Sequence, residues 1–195
     1  ANVGGLFKNL NYKVDMFETN ISMNMNVLKC AYEHNVRKCI SCLSTCIFPN
    51  ETTYPIDETM LHNGPPHYSN DAYAYAKRMV DVQSRAYYEQ YEKIFVSIIP
   101  TNIYGPHDNF HLEDSHVIPA LIHQCYLAKK ENCPFVVRGT GKPLRQFIYS
   151  EDLAKLILKV MNSYEDKEPI ILSVNEKDEI SIAEIAKIIS KKMNY

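Results

Sequence analysis

Tyr73-Ala74-Tyr75-Ala76-Lys77 puts a phenol and an ammonium four residues apart, one turn along a single face of a helix. A phenol with a reference pKa near ~10 is a poor proton donor or acceptor at neutral pH. An adjacent ammonium favours the phenolate and lowers that pKa, which suits general-acid work. The pair alone carries little: Tyr126-x-x-x-Lys130 repeats it, and a solvated helix face accounts for any single instance. What sets Tyr73 and Lys77 apart is what precedes them. Leu43-Ser44-Thr45-Cys46 stands where an apolar strand-like run ends, and Ser44 lies 29 residues before Tyr73. A hydroxyl there can bind the same carbonyl oxygen that the tyrosine protonates. Pro100-Thr101-Asn102-Ile103-Tyr104-Gly105-Pro106 closes the next apolar run in the same way. In parallel α/β sheets the carboxyl ends of strands line the ligand crevice, so three polar clusters gather on one edge.

The elements that must position these groups alternate. Residues 15–34 carry apolar side chains at Met16, Phe17, Ile21, Met25, Leu28 and Ala31, roughly a helical stripe, with Asn35 as a left-handed stop. Residues 38–43 read as a buried strand, 48–70 as a loop rich in Pro, Asn and His, and 71–91 as a second long helix. A strand over 94–99 is halted by Pro100. Helices are expected over 117–129 and 151–162, short strands over 135–137 and 170–174. Ser181-Ile182-Ala183-Glu184 is a capping box opening a last helix towards Lys192. Strand and helix in turn mean an α/β fold, a parallel sheet with helices on both faces. A doubly wound nucleotide-binding sheet opens with a strand and a glycine-rich turn, whereas this chain opens in a loop and goes straight into a helix. Its six glycines form no G-x-G-x-x-G, so a Rossmann-like reading implies that the first strands are missing. The first residue is not Met, which fits a chain that begins inside a longer protein.

Composition narrows the classes. The 195 residues are 46% apolar and carry a formal charge of −2, enough to bury a core and too nearly neutral for a nucleic-acid or membrane-surface binder. No apolar run approaches the roughly 20 residues that span a bilayer, and Ala1-Asn2-Val3-Gly4-Gly5 lacks the basic start of a signal peptide. The six cysteines are too few for a disulfide scaffold, so the compartment reads as reducing and cytoplasmic. Cys39-x-x-Cys42 invites a metal reading, but residues three apart in a strand point to opposite faces, and no second such pair follows. No metal is expected, and Cys30, Cys39 and Cys42 are expected to be small buried residues. The sequons Asn20-Ile21-Ser22 and Asn50-Glu51-Thr52 are short enough to arise by chance. Packing equally accounts for Cys46, and a polar surface loop for His116 in His111-x-x-x-x-His116.

Taken together, the Ser-Thr-Cys strand end, the Tyr-x-x-x-Lys helix and the run from Pro100 to Phe110 resemble the extended short-chain dehydrogenase/reductase superfamily. Within it, Ser44-Thr45-Cys46-Ile47-Phe48-Pro49, Gly105-Pro106-His107-Asp108-Asn109-Phe110 and Ser115-His116-Val117-Ile118-Pro119 are similar to the GDP-L-fucose synthase family, the epimerase-reductases of a GDP-4-keto-6-deoxymannose. The resemblance runs from Val3-Gly4-Gly5 to the final helix and covers the middle of that family's chain. It implies a partial NADP-binding Rossmann-like domain over 1–105. A mixed region over 106–195 would hold substrate-binding segments with the last strand and helices, part of a smaller substrate domain.

The family's reaction explains the residue types. A 4-keto group acidifies the hydrogens on both flanking carbons, and removing and returning those protons on opposite faces inverts the two centres. A thiol near ~8.5 and an imidazole near ~6.5 suit that traffic, and the resemblance assigns it to Cys46 and His116. NADPH then reduces the ketone. The resemblance implies that Tyr73 gives the proton, Lys77 lowers the tyrosine pKa and holds the cofactor ribose, and Ser44 binds the carbonyl oxygen. Pro100, Asn102, Ile103 and His116 join the cofactor contacts. Asn102, Gln124, Arg138 and Arg145 face the GDP-sugar, with the Arg145 guanidinium suited to the diphosphate. Two positions depart from the family pattern: Arg138 stands where a Trp contacts substrate, and Gln124 near a common basic residue. Lacking a glycine nest for the pyrophosphate, this segment alone is expected to hold NADPH poorly and to be inactive. The helices at 15–34 and 71–91 correspond to those that pair subunits in the superfamily, so a homodimer is implied. Another sugar-nucleotide epimerase or dehydratase, or a non-catalytic dimerisation partner, stays open from the residues alone.

Overall fold

A computed structural model describes residues 1–112 and 114–195. Helices α1 (Leu6–Asn11) and α2 (Lys13–Glu33) open the chain, followed by strand β1 (Lys38–Cys42) and a 3₁₀ turn over Thr45–Ile47. Then come a second 3₁₀ turn (Glu58–Met60), α3 (Asp71–Tyr91), β2 (Ile94–Pro100), β3 (Asn102–Tyr104) and α4 (Val117–Glu131). The rest is β4 (Leu144–Arg145), β5 (Phe147–Tyr149), α5 (Ser150–Ser163), β6 (Ile170–Leu172), β7 (Ile180–Ser181) and α6 (Ile182–Lys192).

Strands β1, β2 and β6 form a parallel sheet in that order, with Cys42 opposite Ile98 and Pro100 opposite Leu172. Two-residue periodicity along β2 builds a core on each face. Phe95 and Ile99 meet Leu28 of α2 and Val80 of α3, while Val96 and Ile98 meet Leu153 and Val160 of α5. The expected α/β layering therefore holds. A third cluster, Leu121 and Cys125 of α4 against Ile185, Ala186 and Ile189 of α6, forms away from that sheet. Small ladders connect the parts: β3 runs parallel to β5, and β4 antiparallel to β7. Gly105 lets β3 end tight against α5, since a Cβ there would collide with Ser150 Oγ.

The helix ends follow local chemistry. Asn35 takes φ 52°, Glu92 φ 55° and Asn132 φ 53°, left-handed stops after α2, α3 and α4. The Ser181–Glu184 capping box forms in full at α6. Lys38, at the start of β1, has a side chain only 3% exposed, and its Nζ donates to the carbonyls of Met161 (2.9 Å) and Tyr164 (2.7 Å). It also meets Glu165 Oε1 at 3.0 Å, so a strand cation closes the carboxyl end of α5.

Three expectations need correction. Residues 135–137 form no strand: Phe135 and Val137 do turn inward while Val136 is 65% exposed, but they pack on α4 and α6, and no neighbouring strand offers a ladder. Cys30 and Cys42 are exposed and Cys39 is only partly buried. Cys30 sits on the outer face of α2, and among the described residues β1 pairs with β2 alone, which leaves its last residue exposed. The stripe on α2 also breaks, because Met25 is exposed while Asn20 is fully buried. The Asn20 amide explains this: it pairs with both backbone groups of Asn2, each at 2.9 Å, and tethers the first residues to the helix.

Candidate active site

The parallel register brings the ends of β1 and β2 to the same edge. Leu43 N–H donates to Ile98 O at 2.8 Å and Thr101 N–H to Leu172 O at 3.1 Å, so Ser44 and Asn102 leave the sheet side by side. Beyond β1 the chain tightens into the 3₁₀ turn, with Ile47 N–H bonded to Ser44 O at 3.2 Å; this half-buries Ser44 and Cys46. Tyr73 and Lys77 approach from α3 and are 9% and 5% exposed, unusually deep for a phenol and an ammonium one turn apart.

Lys77 does not point at the phenolic oxygen. Its Nζ donates to the Cys42 carbonyl at 2.7 Å and lies 5.8 Å from the centre of the Tyr73 ring. The expected lowering of the tyrosine pKa is correspondingly not found. Burial pushes Tyr73 well above the ordinary phenol, and ionised Cys46 and Cys42 would push it further, so it stands as a protonated donor. Burial likewise disfavours charge on Lys77, offset by those two sulfurs. It also raises the Cys46 thiol, against the opposing pull of Ser44, Lys77 and Arg78. Cys46 is therefore a thiol at neutral pH.

The other sequence-derived residues divide into two groups. Pro100 is buried as the last residue of β2. Asn102 and Ile103 are exposed in β3, and the Asn102 side-chain amide donates to Gln146 O at 2.9 Å. Between them and Pro100, Thr101 Oγ1 is buried with no hydrogen-bond partner. Farther out, His116 is exposed at the amino end of α4, and its side chain makes no capping bond. Gln124 and Arg138 meet in a cleft of about 1200 Å³, walled by α4 and, across it, by Asn2, Lys8, Tyr12 and Asp15. Arg145 lies outside that cleft on the exposed β4, where its Nη1 donates to Leu144 O at 2.7 Å. The structure thus draws Ser44, Cys46, Tyr73, Lys77 and Pro100 to one place and sets Gln124 and Arg138 on the walls of one cleft. Among the described residues no hydrogen bond or ion pair joins His116 or Arg145 to either group.

Sequence reasoning passed over Arg78 and Thr101. Arg78 is 4% exposed and its Nε donates to Ile47 O at 2.6 Å. The available signal was its place beside Lys77, where a second cation borders the buried stripe Tyr73, Ala74, Lys77 and Asp81 of α3. Thr101 was legible only as part of the polar run that ends β2.

Comparison with known proteins bears on this geometry. Residues 1–174 match the NAD dependent epimerase/dehydratase family. The chain is 64% identical over 195 residues to a GDP-L-fucose synthase of Dictyostelium discoideum and 51% identical over 202 residues to a probable GDP-L-fucose synthase of Drosophila melanogaster. All of the chain is matched in both, covering 61% and 63% of those relatives. A crystal structure of a GDP-L-fucose synthetase from Naegleria fowleri bound to NADP superposes with a TM-score of 0.94 at 52% identity, across 99% of this chain and 59% of that one. The chain thus spans about 60% of the length of the relatives it matches. With the family match running through both sheet edge and cleft, the chain belongs to the NAD dependent epimerase/dehydratase family.

Proposed function

We propose that this chain carries the catalytic side chains of a GDP-L-fucose synthase, which epimerises GDP-4-keto-6-deoxy-D-mannose at carbons 3 and 5 and reduces its 4-keto group. The observation that carries the reading is the convergence of Ser44, Cys46, Tyr73 and Lys77 at the end of β1, in a chain 64% identical to a protein of that name. The edge fits NADP(H): Lys77 and Tyr73 stand one turn apart, and Thr101 Oγ1 waits buried and unpartnered between Pro100 and Asn102. Ser44, Tyr73, Lys77, Pro100, Asn102, Ile103 and His116 would hold the cofactor, which supplies the hydride when bound.

In this reading Ser44 Oγ donates to the 4-keto oxygen and polarises it. The flanking C–H protons then move through the pair Cys46 and His116, one removing a proton on one face and the other returning it on the opposite face. Tyr73 holds the proton that goes to the ketone oxygen, and its raised pKa keeps that proton in place until charge develops there. Lys77 sets the end of β1 through the Cys42 carbonyl. Gln124 and Arg138 in the cleft and Arg145 outside it on β4 would meet the nucleotide, with Asn102 on the sugar side. Residues 1–105 would serve the cofactor and 106–195 the substrate, although β6 returns to the first sheet. Exposed Met25 and Val27 on α2 and Met79 and Val82 on α3 support a homodimer through those helices. Cytoplasmic residence accords with six free cysteines. No helix among the described residues is long and apolar enough to cross a membrane.

The test is solvent deuterium exchange into the 4-keto sugar nucleotide by the natural-length protein. Cys46→Ser is expected to slow exchange at the flanking carbons roughly 10²-fold or more while direct reduction of pre-epimerised substrate persists. Exchange at the wild-type rate in Cys46→Ser sinks the assignment.

A further inference from the structure

Two consecutive cations of α3 grip the backbone on either side of the strand-end residues. Lys77 Nζ takes the Cys42 carbonyl at 2.7 Å, and Arg78 Nε takes the Ile47 carbonyl at 2.6 Å. Neighbours on a helix point about 100° apart, which lets two adjacent side chains reach the two ends of one short segment. Ser44, Thr45 and Cys46 lie between those anchor points. Inside the 3₁₀ turn the carbonyls of Ser44 and Thr45 are used by the amides of Ile47 and Phe48. The Ile47 carbonyl follows those bonds and is met by the buried guanidinium. Arg78 is held in turn, with Cζ 5.5 Å from the Tyr75 ring centre and Nη2 buried without a partner. At 4% exposure the Arg78 guanidinium carries a desolvation cost that its contacts with Ile47 O and the Tyr75 ring offset in part.

We infer that Arg78 is a positioning residue for Cys46, fixing the turn that aims the thiol and lending positive charge behind it. The inference rests on the reading of Cys46 as an acid–base group. The polar groups that bear on Cys46 are Ser44 from its own turn, with Tyr73, Lys77 and Arg78 from α3. Burial raises the thiol, and Ser44, Lys77 and Arg78 oppose it. Loss of Arg78 therefore moves thiol ionisation to higher pH, and the hold on Ile47 goes with it.

The experiment follows alkylation of Cys46 by iodoacetamide across pH in the natural-length protein, read on the Cys46 peptide by mass spectrometry, in wild type, Arg78→Gln and Arg78→Lys. Only the thiolate reacts, so the rate reports its fraction. Arg78→Gln is expected to lower the rate at neutral pH by about twofold to threefold and move the profile upward. Arg78→Lys, which keeps the charge and loses the planar fork, should fall between. If Arg78→Gln fails to fold, Arg78→Lys decides: a displaced profile supports the assignment and a wild-type profile overturns it. Variants that melt at lower temperature yet alkylate with the wild-type profile overturn it as well, because Arg78 would then be structural only. Alkylation needs no substrate. Persistent exchange in Cys46→Ser, the failure of the acid–base reading, is therefore a different result from an unmoved alkylation profile.

Discussion

The edge at β1 and the surface around α4 and β4 hold their polar residues in opposite ways. At the edge, Tyr73 and Lys77 are buried, and each end of the Ser44–Cys46 segment is pinned by a helix cation at 2.6–2.7 Å. Around α4 and β4, His116, Arg138 and Arg145 are exposed, and among the described residues the Arg145 guanidinium bonds only its neighbour's carbonyl. The first region is held by the chain's own sheet and helix contacts, which in the proposed reaction lowers the cost of orienting its groups. In the second region no such hold is found among the described residues: the His116 side chain makes no capping bond and Arg145 is exposed. Of the proposed acid–base pair, Cys46 lies in the held region and His116 in the exposed one.

The contrast is tested most directly at Tyr73. If the edge is preorganised for chemistry, Tyr73→Phe removes one hydroxyl and little else. Reduction should fall roughly 10²–10⁴-fold with KM nearly unchanged, while exchange at the flanking carbons continues. A large rise in KM with kcat intact would place Tyr73 among the recognition residues instead. Because burial holds the phenol well above its ordinary pKa, its ultraviolet ionisation should also stay absent until the pH exceeds that of free tyrosine.

Lys38 tests whether the sheet itself supplies the preorganisation. It sits at the opposite end of β1 from Ser44 and closes α5 through the carbonyls of Met161 and Tyr164 and the Glu165 carboxylate. Lys38→Met keeps the stem and strips the charge, leaving the half-buried carbonyls of Met161 and Tyr164 without their donor. We expect about 3 kcal/mol of lost stability in urea unfolding. A loss below about 0.5 kcal/mol would mean that water serves those carbonyls as well.

How far the sequence carried follows the same division. Helix α3 occupies Asp71–Tyr91 as expected, because 21 residues of amphipathic pattern leave no doubt about period and Glu92 accepts the left-handed stop. The β2 strand was equally plain, with apolar residues on both faces as a central strand requires. The strands of two or three residues at β3, β4, β5 and β7 were not legible, since so few positions hold no periodicity and their partners lie far along the chain. Phe135–Val137 misled for the converse reason: its alternation is real, but helices bury it. At the site, Ser44, Cys46, Tyr73 and Lys77 were readable from types and spacing together with a family resemblance. The direction of the Tyr73 shift was not, because it comes first from burial of the phenol, and a sequence says nothing of how deep that ring sits or that the Cys42 carbonyl captures Lys77 Nζ.

The smallest effect on the fold belongs to Arg145, on the recognition side of the contrast. Its side chain is exposed, and β4 pairs with β7 through backbone alone, Leu144 opposite Ser181 and Arg145 opposite Ile180. Arg145→Ala removes a bond to Leu144 O that water can replace, so stability should change by no more than about 0.5 kcal/mol. If the guanidinium is ordered only by the substrate diphosphate, the same variant should raise KM for the sugar nucleotide about tenfold and leave kcat within about a factor of two. Steady-state kinetics beside a urea titration separate the two quantities. A destabilised Arg145→Ala protein would show that this surface, like the β1 edge, was held by its own contacts all along.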